Sequence, residues 1–459
     1  MTAGRGLILA APESGSGKTL VTAGLLRLLR ERGIRVAAAK AGPDYIDPTF
    51  HAAASGGVSI NLDPWAMRPG TLAGLVGLLE AGADIVLCEG VMGLFDGTGP
   101  EGETGSTAAL ARLTGWPVVF VVDASHQGAS AAALVGGFAR HDPELPLAGV
   151  IFNRVAGPRH RALLETAIAR HLPDIVCLGA VPRCPELVLP ERHLGLVPAG
   201  ERAAAETVIA RAALAVAAGI AVDRLVALAR AASLTLPRKR GREGWGPEAG
   251  EGIGAPLPPL GQRIAIARDD AFLFLYPAVL EGWRRAGAEL SFFSPLADEM
   301  PDPASDAVYL PGGYPELHAG TLAASGHFWA ALRRGASAGT AIYGECGGYM
   351  ALGESLVDGD GRAYRMAGLL PLSTSFAKPR LHLGYRAATL FGAGPLGPAG
   401  ARFRGHEFHY ATTLAPEADT AATPLFALAD SEGCDLGASG LQQGSVMGSF
   451  IHLIDRAED

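Results

Sequence analysis

Between Gly6 and about Leu236, short apolar runs alternate with longer Ala/Leu-rich stretches. The runs are LILAA (7–11), VAAAK (36–40), DIVLCEG (84–90), PVVFVVDA (117–124) and LAGVIFN (147–153). Continuous rather than alternating apolar character marks strands covered on both faces, so the pattern predicts an α/β fold: a doubly wound parallel sheet with helices on either side. The rhythm stops at Pro237 to Gln262, where seven Gly and five Pro fall in 26 residues among interleaved charges. Such a stretch has little to bury and reads as a flexible linker. RIAIARDD (263–270), ELSFFSP (289–295), AVYLPGG (307–313) and TAIYGECGG (340–348) then restart an α/β pattern that becomes more strand-rich toward the C-terminus. The expected organisation is a domain over 1–236, a linker over 237–262 and a second domain over 263–459.

Composition narrows the partners. With 459 residues, 46 acidic against 38 basic side chains and a formal charge of −8, general affinity for a nucleic-acid backbone is disfavoured. Five cysteines, none spaced C-x-x-C, offer neither a disulfide framework nor a zinc signature and suit a reducing compartment. The apolar run Gly6 to Ala11 is too short for a signal peptide, and the most apolar helical stretch, Ala203 to Val222, carries Glu206 and Arg211, which argues against a membrane span. A cytoplasmic location is expected.

Ser14-Gly15-Ser16-Gly17-Lys18-Thr19 follows the first apolar run and opens the helix-like TLVTAGLLRLLRERG. That context suits a phosphate loop. Glycines let backbone N–H groups face an anion, the helix N-terminus adds its dipole, Lys18 neutralises the β/γ-phosphates of ATP, and Thr19 ligates Mg2+. Pro12 stands where the first glycine of G-x-x-x-x-G-K-[ST] would be. Partition-type ATPase switches carry a second lysine five residues before the loop lysine, and Glu13 holds that place here. The loop is therefore closer to the dethiobiotin-synthetase-like branch, which activates carboxylates with ATP.

Two acidic segments follow at strand ends, where doubly wound sheets place their ligands. In Lys40-Ala41-Gly42-Pro43-Asp44-Tyr45-Ile46-Asp47-Pro48 two carboxylates three residues apart could hold Mg2+ or orient a substrate. In Cys88-Glu89-Gly90-Val91-Met92-Gly93-Leu94-Phe95-Asp96-Gly97, Glu89 leaves the sheet among glycines. Turn chemistry is the simpler explanation for Asp-Pro and Asp-Gly. In this order, however, KAGPDYIDPTFH and EGVMGLFDG behind ESGSGKT resemble the cobyrinic acid or hydrogenobyrinic acid a,c-diamide synthase family over nearly the whole chain. The resemblance implies amidation of two carboxylates of a corrin-ring precursor, with ATP and glutamine as co-substrates. It also implies Lys18 and Thr19 at the nucleotide, Thr19, Asp44 and Glu89 around Mg2+, and Asp47 and Asp96 in substrate activation. Asn153 in VIFNR resembles an adenine-reading asparagine, although a lone Asn at a strand end is often a turn or cap. Cobyric acid synthases, which carry an Asn-rich segment in place of GPDYIDP, and nickel-sirohydrochlorin a,c-diamide synthases are the alternatives. A homodimer is expected by analogy with dethiobiotin synthetase. An acidic ring needs local cations, for which His51, Arg192 and His193, with Tyr45 beside them, are the candidates; exposed ion pairs would give the same residues an ordinary role.

In Tyr343-Gly344-Glu345-Cys346-Gly347-Gly348 a cysteine lies at an expected strand-to-helix turn with small neighbours, as a nucleophile elbow requires, and the helix N-terminus is expected to lower the thiol pKa. His452, about a hundred residues on, supplies a base as in class I glutamine amidotransferases. Gly312 and Gly313 in LPGGYPE, with Gly347, offer oxyanion-hole N–H groups. Ordinary class I triads end His-Pro-Glu; His452-Leu453-Ile454-Asp455 resembles the corrinoid branch instead, in which Cys and His act as a dyad. The histidines of Gly405-His406-Glu407-Phe408-His409-Tyr410 either bind or brace. Cys88, Cys177, Cys184 and Cys434 have neither base nor elbow and read as structural. The reading from another class is a regulatory P-loop protein with a degenerate amidotransferase module, which glutaminase activity would separate.

Overall fold

The computed structural model describes residues 6–187, 191–192, 195–196, 202–235, 255–414 and 422–457. They fall into two compact units: Met1–Trp65 with Leu72–Gly252, and Ala66–Thr71 with Ile253–Asp459. Six residues from inside the stretch read as the first domain thus group with the second.

The first unit is built on a parallel sheet of seven strands among the described residues: β1 (Gly6–Ala10), β2 (Val36–Ala41), β3 (Ser59–Leu62), β4 (Ile85–Glu89), β5 (Val118–Asp123), β6 (Leu147–Val155) and β7 (Val176–Pro182), in the order β3-β2-β4-β1-β5-β6-β7. All five apolar runs are strands, and β3 and β7 are two that the pattern did not show. Leu7, Ile8 and Leu9 of β1 and Val118 to Val122 of β5 have no exposure, as strands covered on both faces should. Helices α1 (Lys18–Glu31), α2 (Asp47–Ser55), α3 (Pro69–Gly82), α4 (Thr107–Thr114), α5 (Ala131–His141), α6 (Pro158–His171), α7 (Arg202–Gly219) and α8 (Val222–Thr235) connect and flank the strands. β1 lies between β4 and β5, so the loops leaving β1, β2 and β4 gather at one end of the sheet. A two-residue ribbon, β8 (Glu191–Arg192) with β9 (Gly195–Leu196), follows β7. No helix among the described residues is long and apolar enough to cross a membrane.

In the second unit β10 (Arg263–Ala267), β11 (Glu289–Phe293), β12 (Ala307–Leu310) and β13 (Ala341–Glu345), with β22 (Val446–Ser449) beside β13, form the parallel half of a ten-stranded sheet. β14 (Ser355–Val357), β15 (Ala363–Arg365), β16 (Ser373–Ser375) and β19 (Thr412–Leu414) make a small separate sheet. The large sheet continues from β22 through β21 (Asp435–Gln443), β20 (Thr423–Ala429), β17 (His382–Leu390) and β18 (Arg402–His409) to β23 (Ile451–Arg456). Helices α9 (Pro277–Arg285), α10 (Ala319–Ala324), α11 (Gly326–Ser337) and the six-residue α12 (Gly347–Leu352) complete the unit. Only Phe450 separates β22 from β23, so the sheet curls round until its last strand lies beside the ends of β22 and β13. This curl carries His452 close behind the segment that pairs with the nucleophile strand.

Most of the stretch read as a linker lies outside the described residues. Its last part does not behave as one: Leu257 and Leu260 are buried, and the Pro258 carbonyl accepts a 3.0 Å hydrogen bond from the Trp283 indole. Leu257 and Leu260, sparse apolar residues among prolines, find a core to join, which composition alone could not show.

Candidate functional site

The loop between β1 and α1 has Gly15 and Gly17 at φ 80° and 86°, a conformation that other residues adopt only at a cost. Lys18 turns back, its Nζ 2.7 Å from the Met92 carbonyl and 3.2 Å from that of Glu13. Burial, opposed by Glu89 and reinforced by Lys40, brings the Lys18 ammonium down to about 8. Met92 itself has φ 47° while its side chain is exposed, so the backbone of the EGVMG turn is strained to aim a carbonyl at the lysine. Asn153 is tied to this loop. Its amide donates to the Ser16 carbonyl at 2.9 Å and its oxygen accepts from the Arg154 N–H at 2.9 Å. It is 3 % exposed and braces the loop from beneath.

Below the loop, the ends of β2 and β4 bring the acids together around one cation. Lys40 Nζ is 2.5 Å from Asp47 Oδ2, 3.2 Å from Glu89 Oε1 and 3.8 Å from Asp44 Oδ2. Although burial opposes the charge, Asp47, Glu89 and Asp44 hold Lys40 above its ordinary value. Thr19 Oγ1 donates to Glu89 Oε1 at 2.8 Å and lies 3.4 Å from Asp47 Oδ2. Burial raises Glu89, but Lys40 and then hydrogen bonds from His51 and Thr19 prevail and bring it down to about 2. Asp44 is tied into its own loop through one oxygen. Its Oδ1 accepts from the N–H groups of Ile46 at 2.7 Å and Asp47 at 3.3 Å, which fixes the entry to α2, and burial, then Asp47, push its carboxyl up to about 7. Asp47 is therefore the acid that joins Thr19 and Glu89. These hard oxygen donors fit Mg2+ in chemistry and grouping.

Two substrate candidates are buried. His51 has no exposed surface, and its Nε2 lies 2.6 Å from Glu89 Oε2, a contact that orients the glutamate. Tyr45 keeps 5 % exposure. Asp96 is exposed and accepts from the Gly93 N–H at 2.9 Å, closing the GLFDG turn beside the loop. Arg192 lies on β8 with its side chain outside the described residues, and His193 is outside them altogether.

In the second unit Cys346 sits between β13 and α12 at φ 47°, ψ −105°, the strained turn of a nucleophile elbow. A Cβ on Gly348 would come within 1.9 Å of the Leu310 carbonyl, so only glycine allows the turn to fold against β12. The Cys346 N–H donates to the Ser449 carbonyl at 2.8 Å, and its thiol lies 3.9 Å from the Phe408 carbonyl. The expected fall in thiol pKa is reversed: burial, then Glu316, push Cys346 well above its ordinary value, because a six-residue helix does not offset the loss of water. His452 has no exposed surface, and burial with the nearby His406 and His409 brings it down to about 3, so the imidazole rests neutral.

Glycines expected at the oxyanion hole converge here. A Cβ on Gly312 would lie 2.3 Å from His452 Cε1, and one on Gly347 3.0 Å from the Gly313 nitrogen. His406 is the register partner of His452 across β18 and β23. His409 braces: its Nδ1 meets the Ala411 carbonyl at 3.0 Å and its ring stacks on Phe450 at 3.9 Å. Asp455 does not serve His452, for Arg68 takes both its oxygens through its N–H at 2.8 Å and its guanidinium at 2.8 and 3.0 Å.

Residues 7–197 match the CobQ/CobB/MinD/ParA nucleotide binding domain, and residues 263–459 the CobB/CobQ-like glutamine amidotransferase domain. The chain is 52 % identical to hydrogenobyrinate a,c-diamide synthase of Rhodobacter capsulatus over 98 % of both chains. It is 50 % identical to that of Rhizobium meliloti over 99 % of this chain and 100 % of the relative, and 51 % identical to that of Brucella suis over 98 % of both. The chain belongs to the hydrogenobyrinate a,c-diamide synthase family.

In this member of the a,c-diamide synthase family, sequence reasoning missed Lys40, Asn61 and Glu345. Lys40 is legible in hindsight as a cation closing an otherwise apolar buried strand. Asn61, whose amide holds the carbonyls of Gly42 at 2.9 Å and Asp44 at 2.6 Å, sits in β3, a strand too short to stand out. Glu345, next to the nucleophile, shows no signal apart from that adjacency.

Proposed function

We propose that the protein uses ATP and glutamine to amidate the a and c side-chain carboxylates of hydrogenobyrinate, the ring in its relatives' name, as a step of cobalamin biosynthesis. The observation that carries this is identity of about half over 98 % of the chain, which spans both sites at once. In the second unit, His452 takes the thiol proton as Cys346 Sγ attacks the glutamine amide carbon, N–H groups at Gly313 and Gly347 receive the oxyanion, and the proton passes to the leaving ammonia. Water then releases glutamate from the thioester. In the first unit, Lys18 exchanges its carbonyl partners for phosphate oxygens, and Thr19, Asp47 and Glu89 would hold Mg2+, which spreads the charge of the triphosphate. The ring carboxylate attacks the γ-phosphorus, breaking its bond to the β–γ bridging oxygen and releasing ADP, and the resulting acyl phosphate is converted by ammonia to the amide with loss of phosphate. Asp96, exposed beside the loop, is proposed to orient the substrate carboxylate, and Arg192 and His193 to meet other ring carboxylates.

Product mass from purified protein offered hydrogenobyrinate, its cobalt-loaded form or a nickel sirohydrochlorin, each with ATP, Mg2+ and glutamine, tests the reading. Two amidations of the metal-free ring, without turnover of the others, are expected. ATP-dependent diamidation of another ring alone would replace the substrate, and absence of glutaminase activity would favour the regulatory reading.

A further inference from the structure

Glu345 is a buried carboxyl, 1 % exposed, at the end of β13 and covalently next to the nucleophile. Its Oε2 accepts from the Tyr309 hydroxyl at 2.7 Å, and its Oε1 accepts from the Tyr343 hydroxyl at 3.0 Å and from the Leu453 N–H at 3.1 Å. Tyr309 and Tyr343 are register partners on β12 and β13 with rings 5.9 Å apart, and burial first of all keeps both phenols protonated as donors. Leu453 immediately follows His452. Its strand, β23, is the last of the sheet and, among the described residues, pairs with β18 on one side only. On the other side Glu345 takes the N–H that a further strand would have taken. Glu345 is thus itself the chain neighbour of Cys346, and its side chain is hydrogen-bonded to the chain neighbour of His452.

The remaining carboxylate near the histidine in sequence is engaged elsewhere. Asp455 is held by Arg68 and has no exposed surface, so the acid three residues after the base is spent on the segment Ala66–Thr71 that joins this unit. We infer that Glu345 is the positioning residue of the glutaminase dyad, setting the separation of Cys346 and His452 through its hydrogen bond to the Leu453 N–H. The bond restrains the strand, whereas the acid of a catalytic triad restrains the imidazole itself. It demands an acceptor at Glu345 Oε1 rather than a negative charge, which distinguishes it from electrostatic stabilisation of an imidazolium.

This inference rests on the glutaminase reading of Cys346 and His452, and its test keeps the two apart. Glu345→Met keeps the side-chain length and removes the acceptors. Its glutamine-dependent kcat should fall about 30-fold or more with KM for glutamine within about threefold, while ammonium-supported amidation by the same preparation stays within about twofold of the parent. Glu345→Gln, which retains an acceptor for Leu453, should recover kcat to within about fivefold of the parent. Parent-like kcat in Glu345→Met, or parallel loss of the glutamine and ammonium reactions, would overturn the assignment. So would a Glu345→Gln enzyme as slow as Glu345→Met; if the Met variant does not fold, a fall of more than about tenfold in the Gln variant alone decides against it. If the parent protein hydrolyses no glutamine, the underlying reading fails rather than this refinement.

Discussion

Glu89 and Glu345 occupy the same kind of place in the two units: each is the last residue of a buried parallel strand, followed by a glycine-rich turn, and each is 1 % exposed. Burial alone would raise both. Glu89 faces Lys40, His51 and Thr19 and comes down to about 2, whereas Glu345 faces two phenols and a backbone N–H and rises to about 7. Neutral donors soften the cost of desolvation without cancelling it, and a cation at 3.2 Å cancels it. The difference suits the chemistry proposed for each unit. Metal and triphosphate call for a carboxylate that stays ionised, while a thiol and imidazole that both rest neutral are better served by a neighbour with little fixed charge.

The most severe way to separate the units is Cys346→Ser. Glutamine-supported amidation should fall by about four orders of magnitude while ammonium-supported amidation persists, since the nucleophile serves only nitrogen release. Parallel assays with the two nitrogen sources check this, and loss of both in a folded variant would break the division of labour. Glu89→Gln and Lys18→Ala should each lower turnover by about 100- to 1,000-fold with either source. Steady-state assays showing normal rates with ammonium would remove the phosphate-site assignment.

Stability should respond next. Lys40→Met leaves Asp47 and Glu89 without their shared partner, and urea unfolding should show a loss of about 3 to 5 kcal/mol. A variant as stable as the parent would mean that water reaches these acids freely. The smallest effect is one of sign. Glu345, raised from 4.5 to about 7, contributes stability that is complete below its unfolded value and disappears as pH rises through 7, up to about 3 kcal/mol. Glu89, lowered from 4.5 to about 2, contributes the reverse: stability present above 4.5 and lost as pH falls toward 2. Unfolding midpoints of the parent against Glu345→Gln and Glu89→Gln, measured from acid to neutral pH, should therefore diverge in opposite directions. Curves that run parallel would show that the two sites share one electrostatic character.

Much of this was legible along the chain. Continuous apolar runs marked the strands of the first unit because covered strands need no polar face, and the phosphate loop, the acids behind it and the cysteine elbow each carry residues whose types follow from backbone geometry or charge. His51 and Asp44 show where that legibility ends. Both lie in the motif that carries the family resemblance, and only the structure shows that one bonds Glu89 and the other the entry to α2, because the same residue types serve ligand and scaffold alike. β3 escaped notice since four residues are too few to set a period.

By itself the sequence determined the fold class, the two kinds of chemistry and the side chains that must take part, since these depend on local periodicity and on residue type. Only the tertiary structure decided who faces whom. Asp455 goes to Arg68, Lys40 settles among three acids, and Glu345 meets the strand that follows His452. Such pairings join residues as many as 387 positions apart, and they hold because each buried charge or N–H must find a partner inside. That requirement acts on neighbours in space, which a linear pattern does not encode.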